Sequence, residues 1–281
     1  MKLVNSISEM KEFVSEEKSK KSSIGFVPTM GFLHQGHISL IEQSVKDNDI
    51  TILSIFVNPT QFGPNEDLDK YPRNLDNDLS LANQAGVDIV FHPYASEMYP
   101  SGYATFVNVE RITSALCGAT REGHFKGVAT VVCKLFNICN PDRAYFGQKD
   151  FQQLQVIKRM VDDLNISIEI IDCPTVRESD GLAMSSRNTY LSAEERQQAL
   201  VLSQSLHLAK KLVDSGELDV VNLTESVSKM ITSMPLAKVD YIEIVDAMTL
   251  QPVSQVKHKA LLALAIRFGN TRLIDNTILE V

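Results

Sequence analysis

The sequence predicts an α/β chain: a parallel sheet with helices on both faces, followed by a smaller C-terminal α+β domain. Three observations carry that expectation. Short β-branched or aromatic runs alternate with helical patterns through the first 175 residues. A turn rich in glycine and histidine follows the first of these runs, and the rhythm changes after Cys173-Pro174.

Taken in order, strands are expected at 23–27, 50–57, 87–91, 143–146 and 168–172, where apolar residues cluster in short stretches bounded by turn formers. Helices are expected at 37–47, 74–85, 127–139 and 150–164, where apolar residues recur every three or four positions. Strict alternation of this kind demands right-handed crossovers, so the sheet is Rossmann-like and binds ligands beyond the carboxyl ends of its strands. From 193 to 234 two helical patterns run together, interrupted near Ser215-Gly216, and strands then follow at 239–245, 260–268 and 273–278. The domains implied are 1–175, holding the nucleotide and small-ligand site, and 176–281, a lid.

Composition narrows the function classes. With 44% hydrophobic and 22% charged residues in 281, the chain is an ordinary globular protein with a packed core. A net charge of −8 argues against a nucleic-acid or anionic-membrane partner, so any bound phosphate must meet a local basic site. No run approaches the ~20 apolar residues that a bilayer requires, and the first 21 residues mix Glu, Lys and Ser without a signal-like core. A cytoplasmic protein is expected. Cys117, Cys133, Cys139 and Cys173 form no paired spacing and read as free thiols of a reducing compartment.

The chemistry-bearing segments begin with Pro28-Thr29-Met30-Gly31-Phe32-Leu33-His34-Gln35-Gly36-His37. A strand-to-helix turn places glycine N–H groups and the positive end of a helix near an anion, and His34 and His37 can aim imidazole donors at the same phosphate. Two histidines can also begin a zinc site, but zinc needs further ligands, and His92, His124, His207 and His258 are scattered. The second strand runs out into Asn58-Pro59-Thr60-Gln61, whose amides suit a small polar ligand or simply cap a turn. Gly123-His124-Phe125-Lys126-Gly127 opens an almost wholly apolar helix; Arg121 and Lys126 bring positive charge there or sit solvated, and His124 is ambiguous. Gly147-Gln148-Lys149-Asp150-Phe151-Gln152-Gln153 is another strand-to-helix turn, with a lysine able to meet developing phosphate charge. Met184-Ser185-Ser186-Arg187 supplies two hydroxyls and an arginine just past the domain boundary.

These segments, in this order, resemble the pantoate–β-alanine ligase family of the nucleotidyltransferase superfamily, and the likeness extends to Thr271-Arg272-Leu273-Ile274-Asp275-Asn276. The resemblance implies condensation of D-pantoate with β-alanine at the cost of ATP, through an enzyme-bound pantoyl adenylate, with AMP and pyrophosphate released. It implies catalytic roles for His34, His37, Lys149 and Arg187. ATP contacts would come from Met30, His34, His37, Gly147, Lys149, Asp150, Val176, Met184, Ser185, Ser186 and Arg187. Pantoate would meet Asn58, Gln61, Gln153 and Met30. Mg2+ would ride mainly on the ATP phosphates, with Asp78 of Asp76-Asn77-Asp78 as an outer ligand. The chain departs from the family pattern in Asn77, where a second acid is expected, and in Gln148, where Glu is commoner. A homodimer is also implied. The competing readings are a nucleotidyltransferase with a phosphate-ester acceptor and a nucleotide-binding module without turnover.

Overall fold

A computed structural model describes residues 1–64 and 66–281, and they divide into two compact units. The first comprises Met1–Glu110, Arg121–Gln148 and Gln153–Pro174; the second comprises Arg111–Thr120, Lys149–Gln152 and Thr175–Val281.

In the first unit the chain runs β1 (Lys2–Val4), α1 (Ile7–Ser19), β2 (Ile24–Thr29), α2 (Gln35–Asp47), β3 (Ile50–Ile55), α3 (Leu75–Gln84), β4 (Ile89–Phe91) and α4 (Ala95–Met98). After α5 (Cys117–Thr120), which belongs to the second unit, come α6 (His124–Cys139), β5 (Arg143–Gly147), α7 (Phe151–Asp163), whose first two residues are counted with the second unit, and β6 (Glu169–Cys173). The six strands form one parallel sheet in the order β1-β4-β3-β2-β5-β6. The order reverses between β2 and β5, so the carboxyl ends of the central strands open onto the ligand crevice of such a sheet. Burial on both faces explains the unbroken apolar strands: Ile24, Phe26 and Val27 of β2 and Ile52 and Leu53 of β3 have no exposure.

The opening pair β1 and α1 was not legible as structure. β1 has three residues at the sheet edge, and α1 buries only Met10, Val14 and Glu17, so its apolar stripe is thin. Ser6 supplies its N-cap, accepting from the Glu9 N–H.

The second unit continues with α8 (Ala193–Ala199), α9 (Val201–Asp214) and α10 (Val220–Thr232), then β7 (Ala237–Asp246), β8 (Lys259–Phe268) and β9 (Thr271–Glu280). These strands form an antiparallel sheet with β8 in the middle. Leu202, Leu206, Leu223, Val227 and Ile231 of the helices pack with Leu262, Leu264, Ile266 and Phe268 of β8 in one core. The interruption expected near residue 215 is real: Gly216 takes a φ of +97°, and Asp219 caps α10 through the N–H groups of Val221 and Asn222.

Candidate active site

The turn leaving β2 is built around one buried carboxylate. Gly31 and Phe32 both adopt left-handed φ, +82° and +51°, which turns the N–H groups of Phe32 and Leu33 in the same direction. Asp78, 1% exposed on the first turn of α3, accepts both, at 2.8 and 2.7 Å. A Cβ on Gly31 would lie 2.9 Å from Asp78 Oδ2 and 3.0 Å from Ile55 Cγ2, so glycine is required by φ and by space. Thr29 Oγ1 accepts from the Gly31 N–H and donates to the Ser54 carbonyl, tying the turn to β3. Burial raises the Asp78 carboxyl above its ordinary range, against the lowering effect of the two N–H bonds.

Two expectations are corrected here. The glycine N–H groups of the turn are taken up within the chain, Gly31 donating to Thr29 Oγ1 and Gly36 to His34 Nδ1, while those of Phe32 and Leu33 go to Asp78. Asp78 in turn does not fit a metal ligand, because both its oxygens hold the turn. Among the described residues no group of three or more His, Cys, Asp and Glu is arranged to hold a metal ion.

The turn delivers two oriented imidazoles. His34 is the N-cap of α2, and its Nδ1 accepts from the Gly36 N–H at 3.1 Å. His37 Nδ1 accepts from the His34 N–H at 3.3 Å, which closes a reciprocal capping box built from two histidines. Because each Nδ1 is an acceptor, the neutral tautomer of each ring carries its proton on Nε2. The rings lie 4.0 Å apart at 33°. Two neighbouring Nε2–H donors at a helix N-terminus can bind adjacent oxygens of one phosphate group.

Asn58 and Gln61 stand at the end of the neighbouring strand β3. Asn58, 1% exposed, caps the single 3₁₀ turn Pro59–Gln61. Its Nδ2 donates to Gln61 Oε1 at 3.1 Å and to the Gly127 carbonyl, while its Oδ1 accepts from Tyr99 Oη at 2.8 Å. Gln61 Nε2 reaches Met30 Sδ at 3.1 Å, so these side chains and the histidine turn form one contiguous surface. Nothing in the spacing of Tyr99 marks its part in this. Gly147 ends β5, and Gln153 is half-buried in the first turn of α7. The adjacent Gln152 is structural: within the second unit its Nε2 donates to the Ile112 and Ala115 carbonyls at 2.8 Å.

The second unit gathers the remaining candidates. Lys149 Nζ lies 3.7 Å from Asp150 Oδ2, and its carbonyl accepts from Asn276 Nδ2 at 2.7 Å. Met184 N–H donates to the Val176 carbonyl, and Arg177 bridges Ala183, so Val176 and Met184 face each other across a tight loop. Gly181 turns that loop at φ +94°. Ser185 Oγ accepts from the Arg187 N–H, capping the 3₁₀ turn Ser186–Tyr190, and Ser186 is buried. The hydroxyl run therefore caps a turn of its own, and Ser192 makes the capping box for α8. Asn188 holds the loop from inside, donating to Glu178 Oε1 at 2.6 Å and to the Ala183 carbonyl.

A family model described as pantoate-beta-alanine ligase matches residues 2–278. The chain is 57% identical over 281 residues to the pantothenate synthetase of Acetivibrio thermocellus, covering 100% of both chains. It superposes on the crystal structure of pantothenate synthetase from Thermus thermophilus with a TM-score of 0.94 at 45% identity, covering 99% of each. It also matches the pantoate-beta-alanine ligase of Francisella tularensis, solved with Beta-gamma ATP and beta-alanine, with a TM-score of 0.81 at 36% identity, covering 99% of this chain and 97% of that one.

Proposed function

We propose, for a chain that belongs to the pantoate–β-alanine ligase family, a division of labour among the residues described above. The reaction condenses pantoate with β-alanine and splits ATP to AMP and pyrophosphate. A pantoate carboxylate oxygen attacks the α-phosphorus, and the bond to the β,γ-pyrophosphate breaks. The β-alanine amine then attacks the acyl carbon, loses a proton, and expels AMP.

A carboxylate is a poor acyl donor in water; the adenylate supplies the leaving group, and no covalent bond to the protein is needed. The protein's contribution is orientation and charge stabilisation. The Nε2–H groups of His34 and His37 donate to the phosphate oxygens as negative charge builds in the first step. Lys149 and Arg187 balance the same charge, and Ser185 and Ser186 contribute hydroxyl donors. Gly147, Asp150, Val176 and Met184 complete the nucleotide site. Asn58, Gln61 and Gln153 orient pantoate beside Met30; their amides bind carboxylate and hydroxyl groups without neutralising the attacking charge. ATP enters as its magnesium complex, and the ion counts as part of that substrate.

The observation that carries this reading is the pair of imidazoles with both Nδ1 atoms committed to backbone N–H groups, set beside two neutral amides. Neutral amides suit a carboxylate acceptor better than a phosphate ester, which would call for more basic residues. The test is pyrophosphate release from MgATP and D-pantoate, with and without β-alanine. Sustained release that requires pantoate and is accelerated by β-alanine, with AMP formed, is the expected result. ATP binding without pantoate-dependent release would sink it.

The reading extends to a homodimer, tested by sedimentation velocity, and to a cytoplasmic location. The four described cysteines are all free thiols, as a reducing compartment would keep them. No described helix is long and apolar enough to cross a membrane.

A further inference from the structure

His124 begins α6 immediately after Gly123, at φ +77°, and is only 9% exposed. Its Nδ1 lies 2.9 Å from the Gln61 carbonyl oxygen, and its Nε2 lies 2.9 Å from a terminal nitrogen of Arg121. A carbonyl only accepts and a guanidinium only donates, so these partners select one form of the ring: neutral, with the proton on Nδ1. Arg121 is itself clamped by Glu66, whose two oxygens accept from Nε and the second terminal nitrogen at 2.6 Å each. The start of α6 is pressed onto the same loop. A Cβ on Gly127 would run into the Thr60 carbonyl, and the Gly127 carbonyl accepts from Asn58 Nδ2.

We propose that His124 is a positioning residue for the pantoate site, fixing the main chain of Gln61 so that its amide meets the substrate. Glu66 holds Arg121, Arg121 selects the tautomer, and the Nδ1–H of that tautomer anchors the Gln61 carbonyl. The Gln61 side chain is meanwhile aimed by Asn58 and Met30. Gln61 is thus held at both ends, and loss of the histidine releases the end that sets its position. The inference rests on the assignment of Gln61 to pantoate.

The experiment compares wild type with His124→Phe, His124→Asn and His124→Gln in saturation curves for pantoate and for ATP. Phenylalanine keeps the ring and its contact with Phe125 but removes the donor. Asparagine places Nδ2 near the position of Nδ1 and keeps the donor, whereas the amide of glutamine reaches toward Nε2. The expected result is an approximately 10-fold or greater rise in pantoate KM for His124→Phe and His124→Gln, the scale of one lost hydrogen bond to a part-buried acceptor. ATP KM stays unchanged, and His124→Asn recovers most of the loss. An unchanged pantoate KM in His124→Phe overturns the proposal, as does an equal rise in both KM values. If His124→Phe does not fold, the contrast between Asn and Gln still decides. Nitrogen-15 correlation spectra of the wild type provide a second readout: a proton on Nδ1 is expected, and one on Nε2 overturns the scheme. Gln61→Ala separates the two levels. An unchanged pantoate KM there removes the pantoate assignment itself; a raised KM there with a normal His124→Phe removes only the anchor.

Discussion

The carboxylate of Asp78 accepts the backbone N–H of Leu33 at 2.7 Å, which makes an acidic residue on α3 the support for the histidine turn after β2. Its other oxygen accepts from Phe32, so the pair of left-handed residues at 31 and 32 is held by a single side chain. In Asp78→Asn one acceptor becomes an NH2 group facing an N–H donor. The turn shifts, and misplacement of the two imidazoles is expected to lower turnover by about 10²-fold. Magnesium dependence should not change. Activity restored by excess magnesium would show the carboxylate to be a metal ligand instead.

His34 has two separable duties, capping α2 through Nδ1 and donating through Nε2. His34→Ala loses both, so a stability loss of about 1 kcal/mol should accompany a roughly 10²–10³-fold fall in turnover. Asparagine is among the strongest N-caps, and His34→Asn is expected to regain the stability while turnover stays low. Thermal unfolding and steady-state rates measured on the same samples check this. Parallel recovery of both quantities would mean that the imidazole contributes only its cap.

Glu66 makes the fold sensitive to acid. Burial raises its pKa most, but the Arg121 hydrogen bonds and charge, with the Gly63 N–H, outweigh it and hold the carboxyl at about 2, against an ordinary 4.5. A carboxyl whose pKa is lower in the folded state stabilises that state above its unfolded value, and the contribution fades as pH falls from about 4.5 toward 2. Glu66→Gln should therefore show a shallower loss of stability across that window, by close to one proton. Denaturant unfolding at a series of pH values measures the slope; identical slopes in both proteins would dismiss the ion pair as a stabilising group.

Most of the sheet was legible because buried parallel strands must be apolar and the crossover helices between them must be amphipathic. The histidine turn was legible because its glycines and histidines sit at a strand end. What supports the site was not legible. Asp78 is 41 residues from His37 in sequence, and Gln61 is 63 from His124, so no local periodicity could join them. The same holds for Tyr99 beneath Asn58 and Asn276 on the Lys149 carbonyl. These partners are polar residues whose roles depend on register between elements, and single-sequence patterns carry no register. The glycine turn misled in one respect: its glycine N–H groups suggested an anion from outside, and they are taken by Thr29 Oγ1 and His34 Nδ1 of the same turn.

Arg177 and Asp275 offer the last test, in the second unit. Asp275 is 1% exposed at its side chain and accepts from both terminal nitrogens of Arg177 at 2.7 and 3.0 Å; Arg177 also donates to the Gly181 carbonyl. The pair thereby fixes the loop whose far end carries Met184, Ser185, Ser186 and Arg187. Asp275→Ala leaves a half-buried guanidinium unpaired and is expected to cost about 3–5 kcal/mol of stability. Replacing both partners, as Arg177→Met with Asp275→Leu, removes the unpaired charge, and stability should return to near the wild-type value. The loop nevertheless loses its anchor at Gly181, so weakened ATP saturation should persist in the double variant. Chemical denaturation and ATP KM, measured on the single and double variants, separate the two effects. If the double variant binds ATP normally, the ion pair serves the fold alone, and the placement of Arg187 must depend on the Asn188–Glu178 bond and its neighbours instead.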